Sequence, residues 1–362
     1  MAELDQLNVA TTKYIDRNPA LRDAFFQDDP LLRFEKENLK KTYLGGTLVQ
    51  EGFMYQGAPS GFIAKGQELD ITEKQVEQAC AFTPREIYAN ITLSLEDIKI
   101  FNKGPAAAFD LVKSRVTNAY MTLSANSAIA QYLNGIRANY TLLPNGLAEV
   151  CNDGTNASWD GATYATYGTI TRGGQVGPAL NSVPVNVNGT IEYNTLVENY
   201  SKVSFGTNKP NLIVTTPLGE AYVEERFQPQ QRFNDATTAQ FGFTGLKFKS
   251  AIILSSRYAP GSEISGNQSA TQTAAAQANA MLSASTGGVV TAYPTLTSET
   301  LWMLNARDPW LRLYVVDDPL FGGGFTGFKV AQGNFKVTGQ IALAFNITAQ
   351  PRYHKQLFGI TG

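Results

Sequence analysis

A chain of 362 residues with 43% hydrophobic content can bury a sizeable core, and its length suits two or three compact regions. Charged residues make up only 17% and the formal net charge is −2, so no chain-wide basic field draws in nucleic acid by counterion release, and DNA binding is excluded as the main task. Thirty-two glycines and sixteen prolines favour a mixed α and β architecture with many connections over long coiled helices.

Residues 1–41 are charge-rich and broken by helix-start signals, with Asn18 before Pro19 and Asp29 before Pro30 as N-caps. Leu4, Leu7, Tyr14 and Ile15 form a narrow apolar stripe. Pieces this short are marginal as isolated helices, so the segment is expected to find its partner on the body or on another subunit.

From Thr42 to about Ile100 the pattern is that of strands around glycine-bearing turns: Thr47-Leu48-Val49, then Ser60-Gly61-Phe62-Ile63, then Tyr88 to Leu95 with β-branched alternation. An extended hairpin excursion accounts for it. Thr72 to Ala81 reads two ways: Thr72 with Gln75 resembles a capping box, whereas Val76, Gln78, Cys80 and Phe82 alternate.

Pro105 to Asn134 is one long amphipathic helix, opened by Gly104-Pro105, closed by Gly135 and carrying Phe109, Val112, Val116, Tyr120 and Leu123 at intervals of three or four. At 1.5 Å per residue it spans about 45 Å, suited to a rigid rod beneath a sheet. Residues 136–190, rich in Gly, Asn, Thr and Pro, form a loop-dominated entry to a new region.

Tyr193, Leu196, Val197 and Tyr200 mark a helix, Leu212 to Val214 a buried strand, and Thr216-Pro217 the start of a helix that Pro229 ends. Such alternation implies a sheet with helices packed on it. Residues 264–298 contain no Lys, Arg, Asp or Glu and supply little apolar surface, which makes a surface loop or insertion. Leu301 to Leu304, Leu311 to Val316 and the alternating run from Phe335 to Ile347 read as strands.

Groups that could carry chemistry are sparse. Cys80 and Cys151 lie far apart without metal-ligand spacing and are read as buried thiols. His354 is the only histidine; it cannot form a histidine pair for a metal and is read as a surface or intersubunit polar residue. Gly322-Gly323-Gly324-Phe325-Thr326-Gly327 matches G-x-G-x-x-G, but the strand-like Phe328-Lys329-Val330 follows where a dinucleotide site needs a helix, so the motif is a flexible turn.

The adjacent acids Asp28-Asp29, Asp317-Asp318 and Glu224-Glu225 read as a helix cap, a strand-to-turn exit and an exposed helix face paired with Arg226. No catalytic, cofactor or metal residue is assigned. The triplets Asn90-Ile91-Thr92 and Asn346-Ile347-Thr348 are chance matches to a glycosylation signal, since the first thirty residues lack an apolar leader core and the protein is expected to stay in the cytoplasm of its host.

The run Pro210-Asn211-Leu212-Ile213-Val214-Thr215-Thr216-Pro217, continuing through Glu224-Glu225-Arg226-Phe227-Gln228-Pro229-Gln230-Gln231-Arg232-Phe233 to Phe241-Gly242-Phe243, resembles the major capsid proteins of tailed double-stranded DNA phages. Leu301-Trp302-Met303-Leu304-Asn305, then Gly333-Asn334-Phe335 and a closing strand at Gly359-Ile360, resemble the end of the same family. The likeness covers nearly the whole chain as a succession of elements.

The resemblance implies an α+β Hong Kong 97 capsid fold. An N-terminal arm would take 1–45, an E-loop 46–90, and a P-domain 91–149 with its spine helix at 105–134. An A-domain would take 150–225 and 256–332, the latter including a loop at 260–298, and the P-domain would be re-entered at 226–255 and 333–362.

It also implies a non-enzymatic shell subunit that assembles with copies of itself as hexamers and pentamers. The shell would enclose double-stranded DNA without sequence-specific binding, in a virion built in the bacterial cytoplasm. A portal and a possible decoration protein would be further partners, with no membrane involved. No long charged helical scaffolding segment precedes the arm, which implies either a separate scaffolding protein or a processed chain, with Met1 favouring the former; Lys65, in the E-loop, has no identified crosslinking partners. An encapsulin-like nanocompartment shell is the alternative within the fold, and a hydrolase using Asp or Glu in an A-domain cleft the alternative of a different class.

Overall fold

The computed structural model describes residues 29–43, 45–94, 105–133, 142–227, 246–262, 296–316, 322–330 and 335–362. The chain enters through helix α1 (Pro30–Asn38) and passes directly into strand β1 (Lys40–Tyr43). Asp29 caps α1 as its position before Pro30 predicts: its carboxylate accepts from the Leu32 amide at 3.0 Å. The apolar stripe 4–15, Asn18 and Asp28 lie outside the described residues.

An antiparallel pair follows, β2 (Val49–Met54) with β3 (Glu77–Phe82), in register from Val49 opposite Phe82 to Met54 opposite Glu77. The two readings of 72–81 are thus resolved in favour of alternation: Thr72 caps no helix, and the strand begins at Glu77. Ser60 to Ile63, expected as a strand, has no regular structure and no paired edge; two apolar side chains, Phe62 and Ile63, do not hold a strand without a partner.

Strand β4 (Arg85–Ser94) then leads toward helix α2 (Pro105–Tyr132), the long rod expected over 105–134. Its described side chains bury Val116, Tyr120 and Leu123 at the three-and-four spacing that marks one helix face, and from Ser127 to Tyr132 every side chain is buried, so the end of the rod is enclosed all round.

Two six-stranded sheets organise the rest. The first is built around β15 (Lys336–Ala349), a fourteen-residue strand that pairs antiparallel with β4 along Lys336 to Phe345 and with β12 (Leu311–Val316) along Phe345 to Ala349. Strand β1 extends this sheet in parallel with β12, and β13 (Gly322–Phe325) and β14 (Lys329–Val330) pair with β15 as well. The G-x-G-x-x-G run therefore opens as a strand rather than as the flexible turn expected, and a second strand follows it where a nucleotide site needs a helix. Asp317 and Asp318 fall outside the described residues.

The second sheet runs β7 (Val185–Thr190), β16 (Lys355–Thr361), β11 (Glu299–Leu304), β8 (Leu212–Thr215), β10 (Ala251–Ser255) and β9 (Leu246–Phe248). Helices α3 (Tyr193–Lys202) and α4 (Pro217–Phe227) belong to this half, α4 against β10 and β11. Thr216 serves the start of α4 as its position before Pro217 predicts, its hydroxyl accepting from the Gly219 amide at 3.0 Å. Glu224 and Glu225 lie toward solvent on α4, with Glu225 exposed. Pro229 is outside the described residues, as is most of the uncharged stretch 264–298.

All six residues of β11 are buried, which a strand achieves only with both faces covered. Leu301 and Met303 join Ile213, Ile253, Leu357 and Val223 in one core, while Trp302 and Leu304 join Leu123, Ile129, Ile341 and Phe345 in the larger one. The second sheet is thus the wall between two cores, and the larger core ties it to α2 and to the first sheet.

Candidate functional site

Beyond Met54 and Glu77 the β2–β3 pair continues as a ladder only briefly: the Tyr55 amide donates to the Val76 carbonyl at 3.1 Å and Gln56 Nε2 to the Gln75 carbonyl at 2.5 Å. The loop past that point carries Phe62, Ile63, Leu69 and Ile71 to solvent, Phe62 at 108% and Ile71 at 93% relative exposure. A tight local bond set, Asp70 accepting from both the amide (3.0 Å) and hydroxyl (2.6 Å) of Thr72, holds Asp70 below the usual carboxylate range, with the Thr72 hydroxyl as the main cause. Lys65 is exposed at a turn of the same loop. Apolar side chains concentrated on a projecting excursion with no core beneath them mark a surface that meets a partner.

The root of the hairpin is held by charge. Glu51 accepts from Arg312 Nη1 at 2.9 and 3.0 Å, from Tyr314 Oη at 2.6 Å and from Thr348 Oγ1 at 3.2 Å. Arg312 Nε reaches Asp308 Oδ1 at 2.6 Å, and Lys41 closes the chain on Asp308 at 2.8 Å. One cluster therefore joins hairpin, β12, β15 and β1.

Behind it Gly168, in the left-handed region at φ +59°, lies against the strand β3 backbone; a Cβ there would sit 3.1 Å from the Ala81 carbonyl and 3.2 Å from Cys80 Cβ. Beside the root opens a groove of 430 Å³, walled by Phe53, Phe82, Tyr167, Trp310, Arg312 and Tyr353. Replacing Glu51 with Ala is expected to cost about 1–2 kcal/mol, a charged hydrogen-bond set discounted for partial exposure, read as a lowered denaturation midpoint.

Acids and the histidine elsewhere are structural in placement. His354 is fully buried, not at a surface as expected. Its Nδ1 accepts from the Asn305 amide at 3.4 Å, which puts the proton on Nε2, 3.0 Å from the Trp310 carbonyl. Burial drives its pKa down to about 4, so the ring is neutral at physiological pH.

Glu149, pushed up to about 7 by burial, accepts from Asn145 Nδ2 at 2.6 Å and from the Gly168 amide at 3.1 Å. Arg172 donates to the carbonyls of Glu149, Asn152 and Leu180. Cys80 and Cys151 are buried free thiols as expected; burial lifts Cys80 to about 12. Among the described residues no group of three or more His, Cys, Asp or Glu is placed to hold a metal, and no helix is long and apolar enough to cross a membrane.

No protein-family model matches the sequence, and no curated protein does. Solved structures do match in fold. The capsid of Cyanophage A-1(L) superposes with a TM-score of 0.58 at 11% identity, covering 92% of this chain and 93% of that one. The chain has the Hong Kong 97 capsid fold. The holo-SrpI encapsulin complex of Synechococcus elongatus matches at 0.54 with 8% identity, covering 90% and 86%. The capsid of the native GTA particle matches at 0.52 with 9% identity, covering 90% and 89%.

Proposed function

We propose that this capsid-fold chain is the major structural subunit of a phage head, acting by self-assembly and not by catalysis. The observation that carries the proposal is the projecting hairpin with its apolar loop at 62–71, on a fold shared over nine-tenths of its length with capsid chains. A subunit with both an apolar projection and an aromatic-walled groove presents two unlike surfaces, the requirement for a heterologous contact that closes into rings.

In this reading the arm is 1–45 and the E-loop 46–90. The P-domain comprises 91–149 with the α2 spine, 226–255 and 333–362, and the A-domain 150–225 and 256–332. Hexamers and pentamers of the chain would enclose double-stranded DNA in a virion assembled in the host cytoplasm, with scaffolding, portal and decoration proteins as further partners. The small net charge suits a wall that does not grip its cargo.

The test is to express the full chain with and without scaffolding candidates and to examine the product by electron microscopy and light scattering. Closed shells or capsomer rings are the expected result; a compact monomer under all assembly conditions overturns the proposal. The encapsulin match supports a second reading on the same fold, a nanocompartment shell; a co-purifying cargo protein in place of scaffold or DNA would favour it.

A further inference from the structure

Helix α1 docks on the body through two carboxyl groups. Asp29, which caps it, and Glu35, one and a half turns on, are both buried, at 0% and 1% exposure. Asp29 Oδ1 is hydrogen-bonded to the hydroxyl of Ser256, just past β10, and its Oδ2 to the Leu32 amide. Glu35 Oε2 accepts from Gln131 Nε2 in the last turn of α2. All of these partners are neutral.

The charged groups of the surrounding elements are engaged or directed elsewhere. On α1 itself Arg33 pairs with Glu37 at 3.4 Å, and Lys36, the residue after Glu35, points about 100° around the helix. On β1, Lys40 is exposed and Lys41 binds Asp308. From β12, Arg312 serves Glu51 and Asp308. Past β10, Arg257 is exposed; from α2 the remaining titratable neighbour is Tyr132, fully buried and itself an acid.

We propose that this seat is a proton-operated latch, in which loss of a proton from the Glu35 and Asp29 pair releases helix α1 from the body as the medium turns alkaline.

Two carboxylates sharing a buried seat with only neutral donors cannot both be ionised cheaply. Burial, with the neighbouring Asp29 charge adding to it, lifts Glu35 to about 8, and burial raises Asp29 as well. A released helix returns Glu35 to water and to its ordinary value of 4.5. The docked state therefore holds the proton more tightly. Docking is strongest below about pH 4.5, weakens as pH rises from there, and reaches its floor once pH passes about 8. Across that window the docking equilibrium falls by on the order of a thousand-fold. The latch does not depend on the shell proposal, because docking of α1 can be read on the subunit whatever it assembles into.

Amide hydrogen exchange of the full chain at pH 6 and 9.5, corrected for intrinsic rates, tests it. The amides of 33–39 are expected to lose at least a hundredfold in protection at the higher pH while those of β8 and β11 keep theirs. In Glu35→Gln, which retains the acceptor for Gln131 but cannot ionise, protection is expected to persist. Asp29→Asn keeps a capping side chain and removes the charge that helps raise Glu35, so the loss should be smaller and should level off at lower pH. Protection unchanged in the parent chain, lost equally in both variants, or lost in step throughout β8 and β11 overturns the latch.

Discussion

Replacing Arg172 with Met is expected to lower the stability of the folded chain by about 3–5 kcal/mol, the loss that follows when one partner of a buried charged network is removed. Arg172 follows directly on β6 (Ile170–Thr171) and is only 8% exposed. Its guanidinium donates to three carbonyls, those of Glu149, Asn152 and Leu180, and lies 5.2 Å from the centre of the Tyr167 ring.

Those carbonyls belong to a region, 142–190, whose regular structure is confined to the short turns Leu147–Val150 and Gly177–Leu180, the two-residue strands β5 (Thr166–Tyr167) and β6, and β7. A planar fork with five donors satisfies several acceptors from one point, so a single residue substitutes for a ladder. Met keeps the bulk and leaves the carbonyls buried without a donor. Lys, a point donor on a thinner stem, should recover only part of the loss. Denaturant titration checks both: a lowered midpoint with an unchanged slope is expected, and a midpoint within experimental error of the parent would show the fork to be dispensable.

The contrast between Arg172 and the long elements explains what the sequence reveals. Helix α2 was readable because Val116, Tyr120 and Leu123 repeat at the helical period, and β15 because Val337, Ile341, Leu343, Phe345 and Ile347 repeat at the strand period; burial then follows the pattern. Each such signal is local. Ser60 to Ile63 carried a local signal too, but a strand exists only where another edge lies beside it, and nothing in those four residues says whether one does. His354 fails for the same reason in reverse: its neighbours Tyr353 and Lys355 look like a surface, whereas its burial is decided by Trp310 and Asn305, some fifty positions away.

Parts of the candidate site were nevertheless legible. Glu51 stands on the same strand face as Val49 and Phe53, so an acid pointing inward is visible in the alternation, although its partner Arg312 is not. Glu35 falls on the stripe Leu31, Glu35, Leu39, an acid within the buried face of α1, and that misplaced charge is the signal for the latch. Arg172 lies beside Gly173 and Gly174 with no periodicity around it, and only the folded loop shows what it does.

Introducing Phe62→Asp together with Ile71→Asp is expected to abolish shell formation while leaving the subunit's stability within about 0.5 kcal/mol of the parent, as for other surface substitutions. Both side chains are almost wholly exposed in the isolated chain, so neither contributes burial that the change could remove. At an interface the balance reverses, because each new carboxylate must be desolvated against an apolar surface. A shell repeats the contact at every subunit, and a weakening of roughly 1–2 kcal/mol at each one compounds across linked contacts until closure fails.

Thermal unfolding of the double variant should overlay the parent, and light scattering should find subunits in place of shells or rings. Phe62→Leu with Ile71→Val, which keeps the surface apolar, should assemble. Normal shells from the aspartate variant would move the assembly contact away from the hairpin and onto the groove walls or α1. Loss of assembly accompanied by a lowered unfolding midpoint would instead mean that the loop packs on its own body. The two readouts together therefore separate a contact between copies from a contact within one.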